Sequence, residues 1–427
     1  MKDHVLRGQV VGFPGEHAPV NHIAKGAVAV AASGRVSWAG PARDLPLIYQ
    51  SWPQTDYGDK LILPGFVDAH IHFPQYRMLA APAIDLLDWL HRYTFPEEAR
   101  YADAGYANRA ADVFLNRLFS HGTTSAMAFC SVHRVCADAL FSAASRHNMA
   151  MVTGKTMMDR NAIPAVQDTP EQGASESVAL YNTWHGKQRL RYAVTPRFAI
   201  TSTDAQLKVS GELMQQLNGA LLQTHISESA GEIARVAQLF PNAKDYTDVY
   251  DQHGLLGPRS VFAHGIHLSA RERTRFAETR SSVVHCPTSN AFLGSGIMPL
   301  QTLRAEHVNV GVATDIGGGT NYSMLATLAE TYKLQMLAGY KPSVQHLFFM
   351  ATLGNATHLH MANETGSLET GKFADIVVLD PHATPVLKSR HELSQSIDDV
   401  LFALMMLGDD RAIHATYVAG VKVHGDD

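Results

Sequence analysis

Residues 60–72 read KLILPGFVDAHIH. The apolar run is that of a buried strand, and it ends in a His-Ile-His tripeptide. Residues i and i+2 of a strand face the same side. His70 and His72 therefore send two imidazoles to one point where the strand stops. Neutral imidazole is the commonest protein metal ligand. An isolated HxH is equally compatible with two ordinary histidines, so the rest of the chain has to decide.

Outward from this strand, apolar strand-like runs alternate with helix-like segments. The strand runs are 61–73, 123–130, 150–159, 189–200, 220–229, 260–269, 282–290 and 308–319. Segments such as 107–120 and 204–217 carry apolar residues at helical spacing. Eight strands alternating with helices predict an α/β fold, a (β/α)8 TIM-like barrel. The span 61–320 agrees with the roughly 250 residues of such a barrel. Both ends differ. Short alternating runs before residue 60, and again at 374–379 and 416–423, predict strands without crossover helices. The expected organisation is a barrel over 61–364, with a small β-sandwich domain composed of 1–60 and 365–427. A helical stretch over 330–363 would bridge the two.

Composition narrows the class. The chain has 427 residues, 46% hydrophobic and 18% charged, enough for a large core. Its net charge of −5 gives no basic footprint for nucleic acid. It has no unbroken apolar stretch of the ~18 residues that would indicate a membrane span. The N-terminus lacks the apolar region of a signal peptide. Cys130, Cys136 and Cys286 are sparse, odd in number and without CxxC spacing. They suggest a reducing compartment, with the cytoplasm as the expected location.

Barrel active sites lie at the C-terminal ends of the strands. There the first strand has His70 and His72, the fifth His225 and then Glu228, the sixth His264, and the eighth Asp315. His225 or His264 alone reads as a hydrogen-bonded core histidine, and Asp315 alone as a helix cap. Together, in this order and at these edges, they read as one site.

The arrangement resembles the amidohydrolase superfamily. The matching residues are PGFVDAHIH (64–72), the strand-five histidine, the strand-six His-Gly, the strand-eight aspartate and the tail GKFADIVVLD (371–380). One branch binds two metals through a carboxylated lysine at the end of strand four. Here that strand reads RYAVTPRF (191–198), without a lysine, and Lys155 falls on strand three. The single-metal branch fits, with its glutamate three residues after the strand-five histidine. HIHFPQ (70–75), the 85–97 stretch and the overlapping WLxxYTFPxE pattern (89–98), TPRF (195–198) and HCPTSN (285–290) resemble the guanine deaminase family more narrowly.

The resemblance implies hydrolysis of guanine to xanthine and ammonia, in purine catabolism or salvage. It implies one metal per chain, zinc or else iron, held by His70, His72, His225 and Asp315. Such an ion lowers the pKa of water from ~15.7 to about 7. Asp315 would accept the water proton, Glu228 would protonate ring N3, and His264 would hydrogen-bond the attacking oxygen. Gln75, Arg197 and Phe198 would bind the base: an amide edge, donors for O6 and a stacking ring. The aromatic 89–96 stretch would form an apolar lid. A homodimer is the family expectation. Two other readings stay open: a mononuclear amidohydrolase for another amino-substituted ring, and a non-catalytic assembly protein on the same fold. A nucleic-acid deaminase is excluded, because its PCxxC ligands are absent.

Overall fold

The computed structural model describes residues 2–82 and 86–425. Eight parallel strands follow one another around a nearly closed barrel: Phe66–His72, Thr123–Phe129, Ala150–Gly154, Leu190–Pro196, Leu221–Ile226, Ser260–His264, Ser282–His285 and Asn309–Val312. A two-residue strand, Thr156–Met157, pairs beside the fourth. Each strand except the last passes through an intervening helix or helices to the next, which parallel pairing requires. The interior is filled by small and branched side chains, including Val67, Ala69, Val152, Ala193, Val261 and Val284. Ala356, Leu359 and Met361 of the segment after the eighth strand belong to the same cluster.

The seam between the first and eighth strands carries no regular ladder. Side-chain bonds close it, joined near the rim by two backbone bonds. Asn355, fully buried, donates from Nδ2 to the carbonyls of Val67 and Val312, both at 2.7 Å, and accepts from the Val312 N–H at 3.0 Å. Nearer the site, Asp68 accepts from the Thr314 hydroxyl and N–H. The His70 carbonyl accepts from Asp315 N–H at 3.0 Å.

The run 61–73, read as one strand, is two. Gln54–Pro64 pairs parallel with His4–Gly12 and antiparallel with Ile376–Leu379, and Gly65 separates it from the barrel strand. The two ends of the chain thus build one mixed seven-stranded sheet. It curls around its own core. Val36 near one edge and Tyr417 near the other share a cluster with Leu6, Ile62 and Val378. Two helices the alternation did not predict, Pro385–His391 and Ile397–Leu407, lie between its C-terminal strands. The predicted 330–363 helix is also interrupted. Met324–Leu337 stops before Gly339, whose φ is +81°, and Val344–Phe349 starts after Pro342. A left-handed glycine and a proline each end a helix.

Strand ends fall short of the predicted ones for a common reason. At the C-terminal rim the backbone leaves β geometry to aim side chains. Ser227, His264 and Asp315 have φ of 48°, 71° and 51°, a region uncommon for residues other than glycine. The 287–290 part of the seventh run is helical, because Pro287 opens the helix Pro287–Phe292.

Candidate active site

His70 and His72 close the first strand, and both are buried. His225 is the next-to-last residue of the fifth. Its Nδ1 lies 2.7 Å from the Arg197 carbonyl. A carbonyl only accepts, so Nδ1 carries the ring proton and Nε2 keeps its lone pair. That Nε2 faces His72 Nε2 at 3.2 Å. Asp315 Oδ1 lies 3.2 Å from His70 Nε2 and 3.4 Å from His72 Nε2. His70 Nε2 is buried without a hydrogen-bond partner.

Burial sets the protonation states. It lowers His70 to about 3, with the Arg197 charge adding to the effect. It drives His72 and His225 well below the usual imidazole value. Burial raises Asp315, while the His264 and Arg197 charges and the Ser289 hydroxyl pull it down. Among the described residues, His70, His72 and His225 form one metal-capable group, and His70, His264 and Asp315 another, with ligand atoms within 4.8 Å in each. Converging imidazoles that burial keeps neutral, beside a carboxylate, fit one divalent ion of borderline softness.

Glu228 lines the same pocket, 3.4 Å from His264 Nε2 through Oε2, and accepts from Ser295 Oγ at 3.1 Å. Burial, then the charges of Glu232 and Asp315, raises it well above the usual carboxyl range. That shift favours the protonated form, which a proton donor needs. Its backbone N–H donates to Glu232, which also accepts from Tyr246. His264 Nε2 is 3.9 Å from Asp315 Oδ2. Asn290 donates to His264 Nδ1 at 3.0 Å, which leaves the ring proton on Nε2, toward the two carboxyl groups.

Gln75, Arg197 and Phe198 line the same pocket. For Arg197 the sequence allows both a substrate contact and an ion pair at the barrel rim, and the structure shows the ion pair. It makes a buried ion pair with Glu98, Nη1 to both carboxylate oxygens at 2.9 Å. Gln75 Nε2 donates to the same carboxylate at 2.9 Å, and its Oε1 is buried without a partner. The Gln75 donor is thus committed to Glu98 and only its acceptor is left uncommitted, where both functions were expected. Gly317, at φ +124°, makes room for it: a Cβ there would sit 1.9 Å from Gln75 Oε1.

The predicted lid divides. Trp89 and Leu90 line the pocket, as does Leu86 just before the predicted stretch, whereas Tyr93 and Pro96 border a separate outer cleft and Phe95 packs 5.6 Å from the Arg197 guanidinium. Asp85, at the start of the quoted stretch, lies outside the described residues. Lys155 is fully buried between Asp168 at 2.6 Å and Glu176 at 2.8 Å, its charge spent on them.

Sequence reasoning gave no role to Glu98, Asn290, Ser289 or Ser295. Glu98 is the final letter of WLxxYTFPxE, and Ser289 and Asn290 lie within HCPTSN, so the motifs held the signal while the contacts could not be read from it.

A barrel with a histidine-rich, carboxylate-bearing site at the C-terminal rim defines a hydrolase of the metal-assisted type. The chain belongs to the amidohydrolase family, whose model matches residues 61–423. It is 47% identical over 369 residues to guanine deaminase of Escherichia coli (strain K12), covering 86% of this chain and 84% of that one. A crystal structure of guanine deaminase from Bradyrhizobium japonicum superimposes with a TM-score of 0.96 at 34% identity, over 100% of both chains. Guanine deaminase from C. acetobutylicum with bound guanine in the active site gives 0.91 at 26% identity, over 99% of this chain and 100% of that one. Among the described residues, no helix is long and apolar enough to cross a membrane.

Proposed function

We propose that this protein deaminates guanine to xanthine and ammonia, in purine catabolism or salvage. The observation that carries the reading is one pocket with two unlike walls. One wall is His72, His225 and Asp315, with His70 grouped beside them at ligand distance; the other is Arg197, Gln75 and Phe198. The first group would hold one zinc ion per chain, with iron tolerated by the same imidazoles. Such an ion supplies a nucleophile at neutral pH by making bound water acidic.

The residues do the rest. Asp315 accepts the proton of the attacking water and passes it to the departing amino group. Glu228, held neutral by its surroundings, protonates N3 as oxygen adds to C2, so negative charge does not accumulate on the ring. His264 donates from Nε2 to the oxygen added at C2 and steadies the tetrahedral adduct. The 2-amino group then leaves as ammonia, and the carbon–oxygen double bond of xanthine forms as the oxygen's remaining proton returns to Glu228. Arg197 donates to O6, Gln75 Oε1 accepts N1–H, and Phe198 packs on the ring face.

The same reading takes residues 61–364 as the catalytic unit and 1–60 with 365–427 as a composite β unit. It takes the protein to work in the cytoplasm as a homodimer. Ammonia release from guanine, adenine, cytosine and guanosine tests the activity. Guanine should turn over and adenine should be rejected by ~10⁴ or more, because its donor at C6 faces donors. Preferred turnover of another base would overturn the reading.

A further inference from the structure

Glu98 is fully buried on the short helix Phe95–Ala99, and it is not among the residues that line the pocket. Its carboxylate nevertheless joins two that are. Gln75 comes from the turn after the first strand and Arg197 from the end of the fourth. Both donate to Glu98, at 2.9 Å in each case. We propose that Glu98 is a positioning residue that sets the pocket to read the neutral O6/N1–H edge of the base. The proposal rests on the guanine reading above.

Two consequences follow from the carboxylate. The first is orientation. A Gln75 amide turned the other way would press Oε1 against a carboxylate oxygen, so Glu98 fixes Nε2 toward itself and Oε1 away. Guanine presents an acceptor at O6 and a donor at N1. An arginine donor beside a glutamine acceptor complements that pair, and adenine presents the reverse.

The second consequence is charge. A lone guanidinium in a dry pocket favours an anion. With Glu98 beside it, the pair is neutral. The site then favours the neutral lactam over an anionic ligand of the same shape. Xanthine, the product, is the stronger acid of the two purines and ionises more readily than guanine. Glu98 thus also limits how tightly the product is retained.

The test uses the full-length, metal-loaded enzyme and the variant Glu98→Gln, which keeps the shape and removes the charge. Metal content, guanine kcat and KM, and the inhibition constant of xanthine at mildly alkaline pH are measured. The guanine KM should rise by about tenfold or more, with kcat falling less than KM rises, as for a lost charge-assisted contact. Xanthine should bind tighter, by about threefold or more, as expected of an uncompensated buried cation. Metal content should be unchanged. A general structural defect would weaken both ligands together, and that outcome overturns the proposal. So does a variant with both constants within about twofold of wild type, a change too small for a buried charge contact.

Should Glu98→Gln fail to fold, Glu98→Asp carries the test. It keeps the charge and withdraws the carboxylate by one methylene. It should raise the guanine KM while leaving xanthine inhibition near that of wild type, and an unchanged KM overturns the proposal. A wild-type enzyme inactive on guanine would instead overturn the parent reading.

Discussion

Replacing Arg197 with methionine removes a charge from a place with almost no water. The Arg197 side chain is 3% exposed and that of Glu98 0%. Removing one partner of a buried ion pair costs ~3–5 kcal/mol, because the other charge is stranded. In Arg197→Met, Glu98 would keep only the Gln75 donor. The variant should therefore lose about 3–5 kcal/mol in urea unfolding of the metal-loaded protein. The effect on function is separate. A charge-assisted hydrogen bond to O6 is worth ~1.5–3 kcal/mol, which corresponds to a guanine KM raised about 10- to 150-fold. If adenine turns over at all, the gap to guanine should narrow. A second substitution separates the two effects. Glu98→Gln added to Arg197→Met removes the stranded charge and should recover part of the stability, with no recovery of the guanine KM. Steady-state ammonia release and urea melts of both variants decide the matter. Wild-type stability together with unchanged guanine kinetics in Arg197→Met would refute the reasoning, as would a double variant that regains the guanine KM.

His72→Ala should lose most of the metal, about one ion per chain, along with activity, and elemental analysis reads this directly; metal retained at the wild-type level would remove His72 from the ligand set. Glu228→Gln should lower kcat by at least ~10²–10⁴ with metal content unchanged, because the amide keeps the shape and cannot transfer the proton. A value within tenfold of wild type would assign N3 protonation to another group. Asn355→Ala removes three buried hydrogen bonds at the barrel seam and should destabilise the protein by about 2–4 kcal/mol, at roughly 1 kcal/mol per net bond plus unsatisfied carbonyls; denaturant titration checks it.

The sequence by itself determined the eight-strand alternation, the edge at which the site lies and the residues that meet there. Hydrophobic periodicity is local, and the site residues of a barrel occupy the ends of successive strands. HxH on the first strand, His225 on the fifth, His264 on the sixth and Asp315 on the eighth could therefore be found from strand order alone. Periodicity could not place Leu61–Pro64, which continues the apolar run but pairs with strands at both far ends of the chain. Nor could it find the seam, because Asn355 closes the barrel by reaching from a later segment to Val67 and Val312. Gln75, Arg197 and Phe198 were legible as pocket residues through their motifs, yet their chemistry was decided in three dimensions. Which function of the Gln75 amide faces the pocket, and whether the Arg197 charge is compensated, both depend on a carboxylate on a third element. A side chain's type is written in the sequence, whereas its orientation and net charge are set by buried partners brought close only when the chain folds.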